Sequence, residues 1–348
     1  MKNKLKRILY VGYYLYKMNT SLFWKFLNFT SRETGKSKLY LIVASINDSI
    51  LFNVSLLEYF QFRFFEKNQL DKSNWAGTGF MYEYQLAMNP KNVRSILQDK
   101  ILFLNTYKDF VSHTHLTLNE LKKDEQKGAF LLQKNTKVVL KNSNGQCGIG
   151  IVILNTNELT PYALIHRLEN TGNDIVEAFI QQHKDLEQLS PSGLNTLRLI
   201  TQLNNEDKVE LLGARIRVTV NNSIDNMAAG NLAAEVDLKS GKICGHAVYS
   251  DITKKDQETH PYTKTVFRGY QIPFFYEAIT MVKEAALRFP QNRSIGWDVA
   301  ITSTGPQLLE ANHDWCKLVW QLPVKKGLKP ILDNHLKKIK SNTHEYIN

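Results

Sequence analysis

The amino-acid sequence predicts an α+β fold in which antiparallel strands form a sheet and helices pack against it. Ile295–Asn312 contains two β-rich runs, and the short segment between them includes Gly305 and has the composition of a hairpin turn. Two more β-rich runs, Leu194–Leu203 and Val209–Val220, precede this hairpin. Between the two pairs, Pro273–Arg288 places apolar residues at helical spacing and has proline in its first turn, which predicts a helix packed on the sheet.

Length and composition are those of a soluble globular protein. The 348 residues suffice for two or three compact units, and 43% hydrophobic with 22% charged residues is an ordinary balance. Cys147, Cys244 and Cys316 lack CxxC spacing, which predicts a reducing compartment and no disulfide framework. The apolar run Ile8–Tyr16 is shorter than the about 20 residues that span a bilayer, and no signal-peptide cleavage pattern accompanies it. We therefore expect a cytoplasmic protein.

Basic residues give the chain a formal net charge of +11. They concentrate at its ends: the first 38 residues contain nine Lys or Arg and one acid, Glu33, and lysines recur from Lys325 onward. Such segments attract anionic membranes, acidic polymers or nucleic acid. Because no helix-turn-helix, zinc-finger or RNA-binding signature is present, we expect no nucleic-acid partner.

The basic N-terminal segment also contains many large apolar side chains. Two interpretations stay open. Residues 1–30 lie peripherally in the interface of an anionic membrane, with Trp24 and Phe26 in contact with lipid. Alternatively, these aromatic side chains pack against the body of the protein.

Several other segments have simple structural interpretations. Leu56–Phe65 has apolar residues at helical spacing and is expected to form a core helix, and Trp75–Gly79 reads as a turn. Asn119–Gly128 is charged and polar and is expected to be a linker. Leu328–Ile339 is expected to form a basic closing helix.

The predicted hairpin brings three oxygen-bearing side chains together. A three-residue loop places Thr302 opposite Pro306. In that register Asp298 lies opposite Glu310, and Asn312 shares their face because alternate strand residues point to the same side. Oxygen ligands in this arrangement suit Mg²⁺. The alternative is a polar, solvent-facing strand pair, but the other members of the face make a poor solvent face: Ala300, Pro306 and Leu308.

A glycine-rich turn between two strands is compatible with phosphate binding. In Lys137–Gly150, the glycines Gly145, Gly148 and Gly150 allow backbone N–H groups to approach phosphate oxygens without a Cβ in the way. Lys141 would place an ammonium group beside those oxygens. Many hairpins contain glycine, and the pattern matches neither a Walker A loop nor a GxGxxG motif, so the turn does not specify a phosphate site by itself.

An aspartate, a dozen residues and then Glu-x-Asn at a hairpin's end resembles the metal signature of ATP-grasp enzymes. The passage GWDVAIT…GPQLLEANHD is most similar to the sugar-transfer-associated ATP-grasp branch, found with bacterial surface-polysaccharide genes, and the resemblance runs from about Asp99 to Pro323. It implies an ATP-grasp fold with an N-terminal domain (residues 1–105), a small glycine-rich lid (106–172) and a C-terminal antiparallel catalytic sheet (173–348).

The resemblance also implies a nucleotide site between lid and sheet. VEAFIQQH is similar to the adenine-binding hinge, where Glu177 accepts from the exocyclic amine and the backbone of Ala178, Phe179 and Ile180 serves the ring nitrogens. The implied phosphate contacts are Lys100, Lys141, Gly145 and Gly148, and the implied ligands of two Mg²⁺ ions are Asp298, Glu310 and Asn312.

Three strand arginines are expected to stabilise charge on the transferred phosphoryl group: Arg198, Arg215 and Arg217. A single arginine on a strand is usually solvated or salt-bridged. Ligases of the D-alanine–D-alanine type carry an arginine two residues before the metal aspartate, but this chain has Gly296 there. The sequence leaves open which of the three arginines takes that duty.

A further set of residues is expected near the substrate: Asn195, Asp225, Asn226 and His260. Asp225 and Asn226 belong to a segment that resembles the family's DN…GG loop, with Asn231 in place of the second glycine. His260 lies in a segment similar to the family's HP-x-T motif. Two roles stay open for it: to position or deprotonate an amine substrate, or to cap its own loop.

The implied function is ATP- and Mg²⁺-dependent ligation of a carboxylate to an amine through an acyl phosphate, on a surface-polysaccharide precursor. Small-molecule or saccharide substrates are the expected partners. Two alternatives stay open: an ATP-dependent phosphotransferase on the same fold, and a nucleotide-binding scaffold of the polysaccharide machinery.

Overall fold

Helices and two antiparallel sheets form the chain, which confirms the α+β class. The computed structural model describes residues 2–145, 150–157, 159–221 and 226–345, without the side chains of residues 2–5 and 340–345. Cys244 and Cys316 are free and exposed, and Cys147 lies outside the described residues.

The first part of the chain is helical. It contains α1 (Lys2–Lys17), α2 (Thr20–Thr34), α3 (Lys38–Phe52), α4 (Leu56–Gln61), α5 (Gln69–Ser73) and α6 (Thr78–Met88). Asn19, Ser37 and Ser55 begin α2, α3 and α4 by accepting a backbone N–H of the first turn. None of the helices that the structure describes combines the length and the apolar character needed to cross a lipid bilayer.

An aromatic core holds these helices together. It shows which aromatic side chains of residues 1–30 pack against the body of the protein. Phe26 is fully buried and packs near Phe60, so its expected contact with lipid is wrong and the packing interpretation holds for it. Trp24 is 52% exposed. The helix expected over Leu56–Phe65 ends at Gln61, because Arg63 takes a left-handed backbone conformation with φ of 51°.

The middle of the chain forms a four-stranded sheet covered by helices, here called the lid sheet. Its elements, in chain order after α7 (Lys100–Thr106), are β1 (His115–Thr117), α8 (Leu118–Lys123), α9 (Glu125–Lys134), β2 (Lys137–Lys141), β3 (Val152–Asn155), α10 (Pro161–Thr171) and β4 (Ile175–Ala178). The strand order is β1-β4-β2-β3, and β4 therefore carries the sheet past residue 172, the boundary expected from the sequence.

The linker expected over Asn119–Gly128 is wrong, since α8 and α9 occupy it. Thr117 and Glu120 form a capping box at the start of α8, and Asp124 caps α9. Leu121 is fully buried in the lid core. Capping residues and the burial of Leu121 thus accompany two helices in a segment whose overall composition is polar.

The last part of the chain forms a five-stranded sheet, here called the catalytic sheet, in the order β7-β6-β5-β8-β9. Its elements are α11 (Lys184–Leu189), β5 (Thr196–Leu203), β6 (Val209–Val218), β7 (Leu232–Val236), α12 (Phe275–Arg288), β8 (Ser294–Thr302) and β9 (Gly305–Asn312), followed by α13 (Lys317–Gln321) and α14 (Lys329–Glu345). Apolar side chains on one face pack against α12, as expected, and form the largest core.

The β8–β9 hairpin differs from the expected register. Thr302 pairs with Gly305, so the loop has two residues instead of three. A β-bulge next to Asp298 then adds one residue, Leu309, to β9 and brings Asp298 opposite Glu310. This pairing was expected, although the loop length and the bulge were not.

Two neighbours of this site were consequently assigned to the wrong face. Leu308 pairs with Val299 and lies in the core against α12. Pro306 pairs with Ile301, another core residue. Gln307, which pairs with Ala300, takes the position on the Asp298 side.

Candidate functional site

A row of charged side chains crosses all five strands of the catalytic sheet. The cross-strand neighbours, in order from β9 to β7, are Glu310, Asp298, Arg198, Arg215 and Glu235. They alternate along their strands with the residues that face α12, such as Leu197 and Trp297, so the row lies on the opposite face. We call this set the charge row.

Asp298 lies between Glu310 and Arg198 in the row and is 1% exposed. Arg198 donates to both of its carboxylate oxygens, with Nη2 2.9 Å from Oδ2, and Arg217 places Nη2 2.9 Å from the same oxygen. Burial raises the pKa of Asp298, but the two guanidinium groups outweigh it and hold the pKa well below the usual range. Asp298 is therefore ionised, and its charge is compensated by the protein itself.

The pKa of Glu310 is shifted in the opposite direction to that of Asp298. Burial and the adjacent Asp298 carboxylate together raise the pKa of Glu310 to about 7. Asn312 donates its side-chain amide to Glu310 Oε1 over 3.2 Å, which completes the expected trio on one face. Because Mg²⁺ can bind a carboxylate only without its proton, a pKa near 7 at Glu310 would couple cation binding to pH.

The donor set fits Mg²⁺ chemically. It offers two carboxylates and one amide oxygen, and Mg²⁺ is ordinarily held by one or two carboxylates together with water and phosphate. Among the residues that the structure describes, no third His, Cys, Asp or Glu completes a metal-binding cluster. Asp298 is engaged by arginine, so Glu310 and Asn312 are the more available ligands.

The three predicted arginines do not share one environment. Arg217 is also bound to Thr196 Oγ1, through Nη2 at 2.7 Å. Arg215 is turned away from Asp298: its Nη2 and Nε donate to the Trp320 carbonyl at 2.7 and 3.1 Å, and burial lowers the pKa of Arg215 to about 10. The structure thus gathers Arg198 and Arg217 on Asp298 and leaves Arg215 beside them.

The glycine at position 296 has a physical reason. A Cβ on Gly296 would lie 2.5 Å from Trp315 Cβ and 3.5 Å from Arg198 Cδ. No side chain fits there, and the Arg198 stem passes beside the space that an arginine at 296 would need. Arg198 reaches Asp298 from the neighbouring strand instead.

The hinge strand β4 contains a second buried carboxylate. Glu177 is 3% exposed and accepts from Lys141 Nζ at 2.5 Å, with His113 Nε2 at 3.3 Å. Burial opposes ionisation, but the Lys141 ammonium group and the contact with His113 prevail and lower the pKa of Glu177 to about 2. In this arrangement the carboxylate expected to receive the adenine amine already holds the strand lysine.

Sequence reasoning missed two residues that connect the hinge with the catalytic sheet. Gln307 Oε1 accepts from the backbone N–H groups of Ser112 and His113 and lies 2.8 Å from His113 Nδ1. His113 in turn faces Glu177. The three-residue chain from Glu177 through His113 to Gln307 fixes the lid sheet to β9. Without the bulge, side-chain alternation along β9 assigns Gln307 to the face opposite Asp298. Its position beside the site therefore could not be predicted from the sequence.

Lys100 lies between the two sheets. Its ammonium group donates to the Gly145 carbonyl of the glycine-rich loop. Burial lowers the pKa of Lys100, while the carboxylates of Glu310 and Glu177 act against that shift from the two sides. The first half of the predicted loop is thereby brought to the charge row; Gly148 lies outside the described residues.

The hinge backbone is only partly available to a nucleotide. Ala178 donates its N–H to Thr114 and Phe179 donates to Lys137, at 2.8 and 3.1 Å. Neither group is free for a ring nitrogen, which corrects the expectation for these two donors. Ile180 N–H has no hydrogen-bond partner among the described residues.

Two residues predicted near the substrate are structural instead. Asn195 is fully buried, and its side chain is saturated by Gln182, Ser190 and Thr219. His260 is 1% exposed and caps its own loop. Its Nδ1 accepts from Thr263 N–H, so Nε2 carries the proton and donates to the Thr219 carbonyl at 2.9 Å. Burial lowers the pKa of His260, and neither nitrogen is available to deprotonate an amine.

The remaining predicted residues are in the loop before β7. Asn226 accepts from Ala228 N–H at 2.9 Å and caps the short 3-10 turn Met227–Ala229. The Asn231 side chain bonds the backbone of Val220 and Asn226, which closes this loop. Asp225 lies outside the described residues.

Comparison with known proteins identifies the family of the chain. A model of the protein family described as sugar-transfer associated ATP-grasp matches residues 80–338. No curated protein matches the chain. The similar solved structures include a D-alanine–D-alanine ligase from Helicobacter pylori, at 15% identity over 71% of this chain and 60% of that one, with a TM-score of 0.41. They also include an N5-carboxyaminoimidazole synthetase from Staphylococcus aureus complexed with ADP, at 10% identity over 67% and 52%, with a TM-score of 0.40. The chain thus spans less than two thirds of either structure.

Proposed function

Because this chain belongs to the sugar-transfer associated ATP-grasp family, we propose that it is an ADP-forming ligase that joins a carboxylate to an amine. The observation that carries the proposal is the cluster on the catalytic sheet in which Arg198 and Arg217 meet the buried Asp298 beside Glu310. A sheet face with this much buried charge is stabilised further by a bound triphosphate and its cation.

The carboxylates of the row would hold Mg²⁺. Glu310, Asn312 and Asp298 would be its protein ligands, with Arg198 and Arg217 beside them to meet phosphate oxygens. Bound Mg²⁺ supplies neutralisation of the negative charge on the β- and γ-phosphates. We expect two ions, as the family resemblance implies.

Arg198 stabilises the charge on the transferred phosphoryl group. In ligases of the D-alanine–D-alanine type, an arginine two residues before the metal aspartate has this role. The Arg198 stem runs beside Gly296, so its guanidinium reaches the same aspartate from the adjacent strand. Arg217 shares that aspartate, whereas Arg215 keeps the backbone of α13 in place. Arg198 and Arg217 are therefore the pair that orients the transferred phosphoryl group.

The hinge and lid would hold the rest of the nucleotide. Lys100 and Lys141 supply positive charge near the glycine-rich loop. The Ile180 N–H is a donor for the adenine edge, and Glu177 orients Lys141 towards the phosphates.

The reaction proceeds in two steps. A substrate carboxylate attacks the γ-phosphorus, the bond to the β-phosphate oxygen breaks, and ADP leaves with an acyl phosphate formed. The amine then attacks the acyl carbon, phosphate leaves, and the amine gives up a proton as the amide forms. The family description points to a sugar-containing substrate, such as a uronic acid joined to an amino acid in a surface polysaccharide precursor.

The proposal is tested by incubating the protein with ATP, Mg²⁺ and pairs of acids and amines, and by detecting amide products by mass spectrometry. The carboxylate is labelled with heavy oxygen. Ligation predicts ADP release that requires the acid, transfer of one labelled oxygen to phosphate, and a hydroxamate when hydroxylamine replaces the amine.

Other outcomes separate the alternatives. ADP formation that depends on an alcohol, without release of phosphate, identifies a phosphotransferase. ATP binding without turnover for any acid, amine or alcohol in the screen supports the scaffold and contradicts the ligase.

A further inference from the structure

Helix α3 is apolar on two sides. Its inner side buries Leu41 in the aromatic core together with Ser45, Asp48 and Ser49. Its exposed large apolar residues are Leu39 (72%), Tyr40 (55%), Val43 (49%) and Leu51 (52%). A surface helix normally turns its apolar stripe inward, so the exposed stripe is a feature of the surface and not of the core.

Helix α1 packs beside α3 and is apolar on two sides. Val11 and Tyr14 enter the aromatic core, and Arg7 donates to the carbonyls of Ile50 and Leu51 at the end of α3. The outer side of α1 carries a second apolar set: Ile8 (53%), Leu9 (68%), Tyr13 (55%), Leu15 (47%) and Tyr16 (81%). An ordinary surface helix has one apolar stripe, which faces the core, so the core does not account for this second set. We call the exposed apolar residues of α1 and α3 the α1/α3 face.

Positive charge borders the α1/α3 face, and the acidic residues beside it are paired with lysine. Glu83 of α6 lies 2.9 Å from Lys6 Nζ. Helix α1 contains no acidic residue. The one acid of α3, Asp48, is turned inward and paired with Lys72 at 2.7 Å. Lys17 Nζ lies 5.2 Å from the centre of the Tyr16 ring, and Lys36 Nζ lies 5.7 Å from that of Tyr40.

From these contacts we infer that the α1/α3 face docks on an anionic lipid surface. Leucine and tyrosine side chains flanked by lysine are the composition that settles at a membrane interface, where the rings enter the headgroup region and the ammonium groups meet phosphate. The face lies before residue 80, where the family match begins, and it is independent of the proposed ligase chemistry.

Charge decides against the simplest other occupant, a second copy of the chain. A two-fold dimer places the same patch against itself, so each lysine-bordered edge would meet an equally positive partner edge. Juxtaposed like charges disfavour that contact. An anionic leaflet supplies the opposite charge and a continuous apolar layer at once.

The experiment uses the full chain and vesicles of phosphatidylcholine with or without phosphatidylserine, separated by flotation at low and high salt. We expect binding to the anionic vesicles that weakens with salt. The double variant Tyr16→Gln/Leu39→Gln should lower the partition coefficient by about tenfold or more.

The chain offers a matched control for that variant. Tyr162 and Leu70 have almost the same exposure, 72% and 74%, but lie on α10 and α5. Tyr162→Gln/Leu70→Gln should leave vesicle binding unchanged. A second comparison removes charge alone: Lys17→Gln/Lys38→Gln should weaken binding to anionic vesicles, whereas Lys91→Gln/Lys283→Gln on other surfaces should not.

Three results overturn the inference. The first is the absence of vesicle binding by the full chain. The second is equal loss in the face variant and in its control. The third is a concentration-dependent dimer, measured by sedimentation without vesicles, that Tyr16→Gln/Leu39→Gln dissociates, because the occupant is then a second copy of the chain.

Discussion

The catalytic sheet and the N-terminal helices both depart from the usual pattern of burial, in opposite directions. The catalytic sheet buries charge: Arg198, Arg215 and Asp298 are at most 5% exposed. The N-terminal helices expose apolar surface: Leu39 and Tyr16 are more than 70% exposed. Charged residues are seldom fully buried, and large apolar patches seldom stay exposed, unless a partner accounts for them.

The two departures are compensated to different degrees. In the sheet, Arg198 and Arg217 neutralise Asp298, so the buried charges already have partners within the chain. The pKa of Glu310 is raised and that of Arg215 is lowered, so these two side chains are less well compensated than Asp298. On the α1/α3 face nothing in the described chain covers the apolar side chains. The first region therefore motivates the proposal of a small ligand, and the second motivates the proposal of a lipid surface.

The largest expected effect is loss of catalysis in Glu310→Gln. The amide keeps the shape of the side chain but removes the negative charge that holds the cation, so ADP formation should fall by at least about 10⁴-fold. The same variant also removes the repulsion between Glu310 and Asp298. Its free energy of unfolding without Mg²⁺, measured by urea titration at about pH 8, should therefore equal or exceed that of the parent.

Glu284→Gln, on the exposed side of α12, is the control and should keep full activity. Activity of Glu310→Gln close to that of this control would remove Glu310 from the metal site.

The next largest effect concerns stability and the compensated pair. Arg198→Met leaves Asp298 buried without its principal partner and should lower the free energy of unfolding by about 3–5 kcal/mol. Arg198→Met/Asp298→Leu, which removes both charges, should recover much of that loss. Arg288→Met breaks the exposed ion pair with Asp109 and should change stability by about 1 kcal/mol or less. A purely additive double variant would show that the two buried side chains are not coupled.

Local patterns predicted the strands of the catalytic sheet and the face shared by Asp298, Glu310 and Asn312. They did so because side-chain alternation within a hairpin needs only nearby sequence. The exact loop length was wrong, and the bulge at Leu309 compensated for it. A bulge depends on how β9 packs in three dimensions, so no local pattern indicated it.

Contacts between distant segments were beyond prediction for a related reason. His113 and Gln307 are separated by 194 positions, and neither stands out in its own segment. Trp24 and Phe26 looked equivalent in sequence, yet one is half exposed and the other fully buried, because the core of α2 and α4 selects one side of the helix. Asn195 was expected near the substrate as a neighbour of the strand arginines, and His260 because its segment resembles a family motif. Their internal partners, such as Thr219, lie in other segments and could not be identified from the sequence.

A smaller effect is expected from Glu177→Gln at the hinge. The neutral amide holds Lys141 and His113 less strongly, so Lys141 should lose its orientation towards the phosphates. We expect ATP affinity to fall by about 10- to 100-fold, together with part of the preference for ATP over GTP. Calorimetric titration of both nucleotides measures this. Glu169→Gln, at the exposed Lys122–Glu169 pair of the lid, is the control. Unchanged nucleotide affinity in both variants would show that Glu177 takes no part in nucleotide binding.

The pH dependence of Mg²⁺ binding should be smaller still. The pKa of Glu310 is raised to about 7 in the folded protein, so its protonated form stabilises the fold at low pH, and that contribution is lost as pH rises through about 7. Mg²⁺ competes with this proton. Apparent Mg²⁺ affinity should therefore weaken by about tenfold for each pH unit below 7 and level off above it. Titration of Mg²⁺ in Glu310→Gln should show no such slope, and a parent without a slope would contradict the assignment.

The smallest expected effect is that of Leu39→Ala, which tests the exposure of the α1/α3 face. Leu39 and Leu41 are two positions apart on α3, but Leu39 is 72% exposed and Leu41 is fully buried. Leu41→Ala should lower the free energy of unfolding by about 2–5 kcal/mol, because it opens a cavity in the aromatic core. Leu39→Ala should change it by about 0.5 kcal/mol or less, since no described neighbour covers the side chain. If both substitutions destabilise the protein equally at every protein concentration, the α1/α3 face is covered within the chain. A loss in Leu39→Ala that grows with protein concentration would instead show that the face is buried between copies.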